Sequence, residues 1–331
     1  MNNLFWLTFS CIKGVGDVTV KELYFQHPYA NFELINDAFF LESLKPSIRN
    51  IFLNQEVIIS AENKAIDIIK KHEQHDIKVV PISSEYYPIS LRFIKDPPAV
   101  LYAKGNLELL KDMNLVAIVG TREPTPTGEV AARKIASTFA NYGYTIVSGL
   151  ALGIDTAGHE GALKIPNGKT IAVMADNLTK IYPAKNKKLA ESILLNKGLL
   201  LSEVSIGQGI SKGSFVKRDR IQSGLSLGVC PVQTPIKSGT QHTIQFAREQ
   251  ERVLFTPIVM DIDLNHIASQ GNLKLLKEEK VIDLKDQNTY PIIISRMNDV
   301  KKQLLLLTES LNKKSKPKNE EIRKYEQGSL F

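Results

Sequence analysis

The fold is decided by residues 148–163, SGLALGIDTAGHEGAL, which follow directly on the apolar run YTIVS of residues 144–148. A short run rich in valine and isoleucine is typical of a buried strand, and the residues after Gly153 have the spacing of a helix. Gly149 and Gly153 lie between the two, where glycine permits a tight turn and a close backbone approach. The stretch therefore predicts a strand, a glycine turn and a helix in succession.

The same alternation extends over residues 113–260, where segments of helical periodicity separate most of the apolar runs. The runs are residues 115–119, 144–148, 170–174, 199–202, 227–232 and 252–257. Buried strands that alternate with helices indicate an α/β fold with a doubly wound, mostly parallel sheet. Because ligands of such sheets bind beyond the carboxyl ends of the strands, the residues after each run are the candidates for a site.

The domain organisation follows from composition along the chain. The length of 331 residues suggests about two domains. Residues 1–80 have mostly helical patterns, with a pair of glycines that fits either a helix-hairpin-helix turn or a plain helix–helix turn. Residues 81–112 are predicted to be a connector and residues 113–290 the core. Residues 291–331 are predicted to form a helix followed by a lysine-rich polar tail, and we expect the tail to be disordered.

Charge and cysteine content narrow the class of protein only slightly. The formal net charge of +7 permits a nucleic-acid partner without requiring one. Cys11 and Cys230 lie in apolar runs, and we interpret them as reduced thiols. Because no histidines lie at ligand spacing from them, no metal site is predicted. No apolar run approaches the roughly 18 residues that span a membrane, and the N-terminus lacks the features of a signal peptide. We expect a cytoplasmic protein.

Glycine turns, cations and an aromatic residue follow the predicted strands. Arg122 follows the first strand, Lys212 and Phe215 follow the fourth, and Gly239 opens the helix after the fifth. Glycine turns at helix N-termini present free N–H groups to anions. Arginine pairs with phosphate, and phenylalanine can stack on a base. The combination predicts a ligand that has both a phosphate and a base.

Two common nucleotide-binding motifs are missing. The G-x-G-x-x-G fingerprint does not follow the first strand, and no acidic residue stands clearly in the ribose-binding place, which disfavours a nicotinamide enzyme. The pattern of a P-loop is also absent. Asp155 and His159 lie four apart on one predicted helix face, but a catalytic pair would need a nucleophile, for which Ser148 is the only adjacent candidate. We therefore interpret Asp155 and His159 as structural residues of the pocket.

Six motifs in order resemble the DprA (Smf) family of DNA-processing proteins, over about residues 5–285. The motifs are GTREPTPTG, SGLALGIDTAGHEGAL, IYPAKN, LLLSE, KGSFVKRDRIQSGLSLGV and SGTQHTIQFAREQ. The resemblance implies an extended Rossmann-like core behind a SAM-like or helix-hairpin-helix module. It also implies a homodimer that binds single-stranded DNA and loads RecA onto it during recombination, including transformation. It implies no catalysis and no cofactor.

Carried over to this chain, the resemblance and the strand ends together mark twelve candidate DNA-binding residues. They are Gly120, Thr121, Arg122, Gly149, Gly153, Lys212, Phe215, Lys217, Arg218, Arg220, Ser238 and Gly239. The chain also departs from the family pattern. Asp219 stands where the family has asparagine between two arginines, and Val216 stands where it has proline.

Two alternatives stay open at this point. The first alternative is a LOG-type nucleotide hydrolase, a class that shares the fold and carries a catalytic glutamate in the loop that corresponds to KSGTQHT. That position is Thr243 here, so the catalytic acid that such an enzyme needs has no candidate. The second alternative is a sensor that binds a nucleotide-like molecule without reacting with it.

The last five residues, QGSLF, resemble the peptide with which bacterial proteins bind the sliding clamp. Gln327 and Ser329 match its polar positions, and Leu330 and Phe331 match its apolar anchors. A polar, lysine-rich arm before them would present the peptide freely. A sliding clamp is therefore predicted as a further partner.

Overall fold

The structure is a computed structural model that describes residues 3–211 and 213–314, with side chains to residue 311. Five helices form the front of the chain. They are α1 (Asn3–Ser10), α2 (Asp17–Gln26), α3 (Ala38–Ser43), α4 (Pro46–Leu53) and α5 (Gln55–Glu73). Aromatic rings hold them together: Trp6 of α1 packs edge-on against Tyr24 of α2, with ring centroids 5.3 Å apart, and Phe5 stacks on Phe52 of α4 at 5.9 Å. Asn54 caps α5, since its side chain accepts a hydrogen bond from the Val57 amide.

Within the described residues, one sheet of nine strands forms the centre of the molecule. The strands are β1 (Lys78–Pro81), β2 (Val100–Gly105), β3 (Leu115–Val119), β4 (Thr145–Ser148), β5 (Thr170–Met174), β6 (Leu199–Ser202), β7 (Gly228–Pro231), β8 (Val253–Pro257) and β9 (Val281–Leu284). Their spatial order is β1-β2-β6-β5-β4-β3-β7-β8-β9. The β1–β2 and β2–β6 pairs are antiparallel, and all the other pairs are parallel.

Helices cover the sheet between the strands. They are α6 (Ile89–Arg92), α7 (Pro126–Asn141), α8 (Ile154–Leu163), α9 (Lys187–Leu195), α10 (Ser214–Leu225), α11 (Thr240–Glu249), α12 (Gln270–Leu275) and α13 (Thr289–Lys314). Short 3₁₀ turns lie at residues 34–36, 107–110, 184–186, 261–263 and 267–269. The predicted fold class is confirmed: the protein is α/β, with a doubly wound, mostly parallel sheet behind a helical front.

Three strands of the sheet were not predicted. β1 and β2 come from the end of the segment interpreted as helical and from the predicted connector, so the sheet runs across that division of the chain. β1 has only four residues and forms the edge of the sheet, and β9 reads VIDL, with two half-buried central residues. Short strands at the edges of a sheet lack the continuous apolar run of a central strand, so the sequence predicts them only weakly.

The order of the strands determines where a ligand can bind. From β3 the chain winds through β4 and β5 to β6 on one side, and then returns to β7 and β8 on the other. β3 therefore pairs with both β4 and β7, and the loops after these strands diverge to opposite faces of the sheet. This switch point opens a crevice at the carboxyl ends of the strands, where doubly wound proteins bind their ligands. No helix in the described part of the chain is long and apolar enough to cross a membrane.

Candidate functional site

The crevice lies where the glycine-containing turn after β4 meets the loop after β3. Leu150 has a φ of +59° and Gly153 a φ of +76°, which turns the chain sharply into α8. A Cβ atom on Gly153 would lie 2.5 Å from the carbonyl oxygen of Thr121, so only glycine lets the two loops approach this closely. Asp155 fixes the turn, because its Oδ2 accepts hydrogen bonds from the amides of Gly149 at 3.1 Å and Ala151 at 3.3 Å.

Arg218, from the first turns of α10, is the buried cation of the crevice. Only 6% of it is exposed, and its Nη1 donates to the carbonyl of Val173 at 3.0 Å. A Cβ on Gly149 would lie 1.6 Å from this Nη1, so Gly149 is the residue that makes room for the guanidinium. With its amide oxygen turned toward these donors, Gln222 accepts from Arg218 Nη1 at 2.8 Å and from the Gly149 amide at 3.0 Å.

Two buried carboxylates accompany Arg218. Asp219 Oδ1 lies 3.1 Å from Arg218 Nε. Burial and, to a lesser degree, the nearby Asp155 raise the pKa of Asp219 to about 6, although Arg218 and Arg122 act in the opposite direction. Burial also raises the pKa of Asp155, against the opposing effect of Arg218. The floor of the crevice is therefore close to neutral in charge, although it contains three ionisable groups.

An aromatic cluster forms the rim above this floor. The Arg122 guanidinium lies over the Phe215 ring, 5.3 Å from its centroid, and the Tyr182 ring lies 6.1 Å from Phe215. Tyr182 is 53% exposed. We call the pocket between these side chains the aromatic slot. It is lined by Arg122, Gly149, Ala151, Leu152, Met174, Ala175, Asp176, Tyr182, Pro183, Ile210, Phe215 and Arg218.

A second pocket lies on the other side of Arg122 and Phe215, and we call it the carboxylate chamber. It has a volume of about 480 Å³, within the range of small-molecule sites. It is lined by Val119, Gly120, Thr121, Arg122, Glu123, Ala151, Asp155, Phe215, Arg218, Asp219, Gln222, Ser238, Gly239, Thr240 and Thr243. Thr243 occupies the place where a LOG-type enzyme carries its glutamate, so α11 brings no carboxylate into the chamber.

Nine of the twelve predicted residues line these pockets or, like Gly153, form the turn beside them, whereas Arg220 and Lys217 lie elsewhere. Arg220 points to the opposite side of α10, where it makes two hydrogen bonds to Glu203, at 2.7 and 2.8 Å, and an ion pair with Asp96. Lys217 lines a separate groove between the core and the helical front. Lys212 lies outside the described residues.

His159 lies beneath the site and does not reach it. It is fully buried on α8, and its Nδ1 shares a 2.7 Å hydrogen bond with the Thr170 hydroxyl of β5. Burial lowers its pKa to about 3, so the ring is neutral at physiological pH. His159 thus packs α8 onto the sheet. In the described part of the chain, no group of three or more histidine, cysteine, aspartate or glutamate side chains is placed to hold a metal ion.

Sequence reasoning missed Tyr182 and a set of lysines on the same edge. Tyr182 lies in the motif IYPAKN, in the loop between β5 and α9, where the motif but no periodicity marks it. Exposed lysines surround it and follow β7; they are Lys180, Lys185, Lys187, Lys188 and Lys237. The edge therefore combines stacking surfaces with exposed positive charge, which are the two elements of a site for single-stranded nucleic acid.

The fold and the crevice define a doubly wound α/β protein with a cation-and-aromatic site at its switch point. Residues 78–290 match the family described as DNA recombination-mediator protein A, and the chain belongs to this family. It is 38% identical over 290 residues to Protein Smf of Synechocystis, covering 84% of this chain and 71% of that protein. It is 41% identical over 188 residues to the DNA processing protein DprA of Bacillus subtilis, covering 57% of this chain and 63% of that protein.

Two solved structures share the fold. The DprA of Streptococcus pneumoniae has a TM-score of 0.61 at 28% identity, covering 83% of this chain and 97% of that chain. The DNA processing protein A of Helicobacter pylori, whose structure concerns a single-stranded DNA binding mode, has a TM-score of 0.57 at 32% identity. That match covers 69% of this chain and 96% of that one.

The raised pKa of Asp219 predicts a pH-dependent stability. A carboxyl group with a raised pKa in the folded state stabilises the fold while it is protonated, and this contribution is lost as the pH rises through about 6. Asp219→Asn keeps a neutral group at every pH. We expect the variant to be more stable than the wild type at pH 8, by at most about 3 kcal/mol, and the difference to shrink at pH 5.

Thermal melts at both pH values measure this difference. Glu191→Gln, which removes an exposed charge from α9, is the control and should show no such pH-dependent gain. Equal melting temperatures for Asp219→Asn and the wild type at pH 8 would contradict the prediction.

Proposed function

We propose that the protein is a single-stranded-DNA-binding recombination mediator, and that the aromatic slot and its rim are its DNA site. Membership of the family supports the role in recombination. The Helicobacter pylori relative, which covers most of the core, supports single-stranded DNA as the ligand. A cytoplasmic location fits this role, since the DNA and the recombination machinery of a bacterium are there.

The observation that carries the proposal is the cluster of Arg122, Phe215 and Tyr182 at the rim. The two rings lie 6.1 Å apart with their planes tilted by 58°, so each can offer a face to a different base, and the guanidinium over Phe215 can pair with a phosphate. In duplex DNA the base faces are covered by their neighbours. The arrangement therefore favours a single strand, and stacking on a ring face tolerates every base.

The exposed lysines extend this contact along the strand. Lys180 and Lys185 flank Tyr182 in the loop after β5, and Lys237 follows β7 beyond the carboxylate chamber. Each lysine that pairs with a phosphate releases a bound counterion, which makes the affinity depend on salt. The near-neutral floor contributes little to this effect, so the positive charge that attracts the backbone lies at the rim.

The first test of this site is a pair of variants at the rim. Phe215→Ala should weaken binding of an oligonucleotide by about 1–3 kcal/mol, because it removes a stacking surface. Arg122→Ala should weaken binding and reduce the slope of log affinity against log salt by about one, because it removes one phosphate contact. Fluorescence anisotropy at several salt concentrations measures both effects.

Matched controls come from other surfaces of the chain. Phe39 is 83% exposed on α3, and Lys134 is exposed on α7, so Phe39→Ala and Lys134→Ala remove an equivalent aromatic ring and an equivalent cation away from the crevice. Equal affinity of the wild type for duplex and single-stranded DNA would overturn the proposal, as would unchanged binding by Phe215→Ala.

The recombination role adds RecA as a partner, by resemblance to the family. A mediator must hold the strand while a recombinase assembles on it, so loss of strand binding removes loading as well. Phe215→Ala should therefore also lose the ability to start RecA assembly on strands coated with single-strand-binding protein. If the variant loads RecA normally while its own DNA binding is lost, the crevice is not the mediator site.

A homodimer is the second partner that the resemblance implies. The loop after β8 exposes a group of apolar side chains that a second copy could cover; they are Ile258, Met260, Ile262, Leu264 and Ile267. Ile262 is 80% exposed. We expect sedimentation at micromolar concentration to show a dimer, and Ile262→Glu to shift it to monomer. Sedimentation of the wild type as a monomer, with and without oligonucleotide, would contradict this.

A sliding clamp is the third proposed partner, through Gln327, Ser329, Leu330 and Phe331. These residues lie outside the described part of the chain, and the proposal rests on their sequence. Deleting residues 327–331 should abolish binding to the bacterial clamp and leave DNA affinity and the melting temperature unchanged. A peptide of the last ten residues should bind the clamp with micromolar affinity, since ordering a short segment opposes binding. No binding by this peptide at high micromolar concentration would contradict the proposal.

A further inference from the structure

We propose that Asp219 makes the carboxylate chamber select a DNA base that carries an amino group, so that the protein prefers cytosine to thymine at one position of the bound strand. This rests on the proposed DNA site, and it adds a base preference to binding that stacking alone leaves non-specific. The inference comes from one carboxylate oxygen of Asp219 that accepts no hydrogen bond within the described part of the chain.

Asp219 is buried and yet lines the chamber. Only 8% of the residue is exposed. Its Oδ1 pairs with Arg218 Nε at 3.1 Å, whereas no donor within the described residues makes a hydrogen bond to its Oδ2. Asp155, the other buried carboxylate of the chamber, differs, because its Oδ2 already accepts hydrogen bonds from two backbone amides. Because Asp219 lines the chamber, a ligand that enters the chamber can donate a hydrogen bond to this oxygen.

The charges around Asp219 decide which ligand group can approach. Arg218 comes from the same helix, Asp155 faces it from α8, and Arg122 faces it from the loop after β3. α11 contributes Thr240 and Thr243 to the chamber and no charge. With Glu123 at the entrance, three carboxylates face two guanidiniums and give no excess of positive charge, so a phosphate gains little here. An uncharged group that donates hydrogen bonds suits the chamber better.

Of the groups in a DNA strand, the bases supply such donors. Cytosine presents its N4 amino group at the place where thymine presents the O4 carbonyl oxygen, and carboxylates characteristically accept from cytosine N4. The thymine O4 would face the carboxylate oxygen as a second acceptor. The two bases are otherwise of similar size, so stacking on the Phe215 or Tyr182 ring does not distinguish them.

The chamber adjoins the aromatic slot closely enough for this contact. Arg122, Ala151, Phe215 and Arg218 line both pockets, so the Phe215 ring that stacks one base is also a wall of the chamber. A strand held at the rim can therefore direct the neighbouring base toward Asp219. The pKa of Asp219, about 6, keeps its carboxylate ionised at pH 8, where both oxygens are acceptors.

The experiment compares two matched ligands, oligo-dC and oligo-dT of twelve nucleotides, by anisotropy at pH 8 in EDTA. EDTA removes divalent cations that could bridge Asp219 to a phosphate. We expect the wild type to bind oligo-dC at least about fivefold more tightly than oligo-dT. Asp219→Asn should bring the ratio near one, because the amide can both donate to thymine O4 and accept from cytosine N4. Glu191→Gln, which also removes one negative charge but lies outside the pockets, should keep the wild-type ratio.

A change in the ligand tests the same contact without altering the protein. An oligo-dC with N4,N4-dimethylcytosine has no N4 donor, and the wild type should bind it no better than oligo-dT. Equal binding of oligo-dC and oligo-dT by the wild type overturns the inference and leaves the proposed DNA site standing, as does an unchanged ratio in Asp219→Asn. Failure of both oligonucleotides to bind overturns the proposed function itself.

Discussion

The site depends on one buried guanidinium. Arg218 joins α10 to the end of β5 through the Val173 carbonyl, and it occupies the space that Gly149 leaves open in the turn after β4. Taking an arginine out of water costs several kcal/mol, which only partners in good geometry offset. Val173, Gln222 and Asp219 are these partners. Because the partners come from different elements, the crevice keeps its shape only while strand, turn and helix stay in place together.

The central strands and the glycine turn could be predicted from sequence, because burial on both faces produces continuous apolar runs and the close approach of two loops at Gly153 leaves no room for a side chain. The direction of individual side chains on α10 could not. Arg218 and Arg220 are two residues apart, so they project about 200° from each other around a helix and reach opposite sides of it. Predicting both as DNA contacts therefore ignores that residues two apart lie on opposite faces of a helix. Tyr182 was overlooked because a single aromatic residue in a loop has no periodicity.

Positive charge is distributed unevenly across the site, and the net charge of the whole chain does not show where it lies. The excess of +7 suggests a basic groove. The structure instead has a neutral floor, where Arg218 is matched by Asp219 and Asp155, beneath a rim with exposed lysines. Buried cations need carboxylate partners, whereas exposed lysines are hydrated and need none. In the function proposed here, the exposed lysines of the rim attract the DNA backbone at long range, and the floor discriminates between bases at short range.

The opposite side of α10 connects the site to the helical front. Arg220 is 4% exposed at its side chain, and it binds Glu203 of the loop after β6 and Asp96 of the segment between α6 and β2. Asp17, at the start of α2, lies 3.9 Å from Arg220 and accepts a hydrogen bond from the Ala99 amide at 3.0 Å. α10 therefore carries Phe215 at one end and these ion pairs on its back. The helical front thus packs against the helix that positions Phe215, without contributing a residue to the aromatic slot.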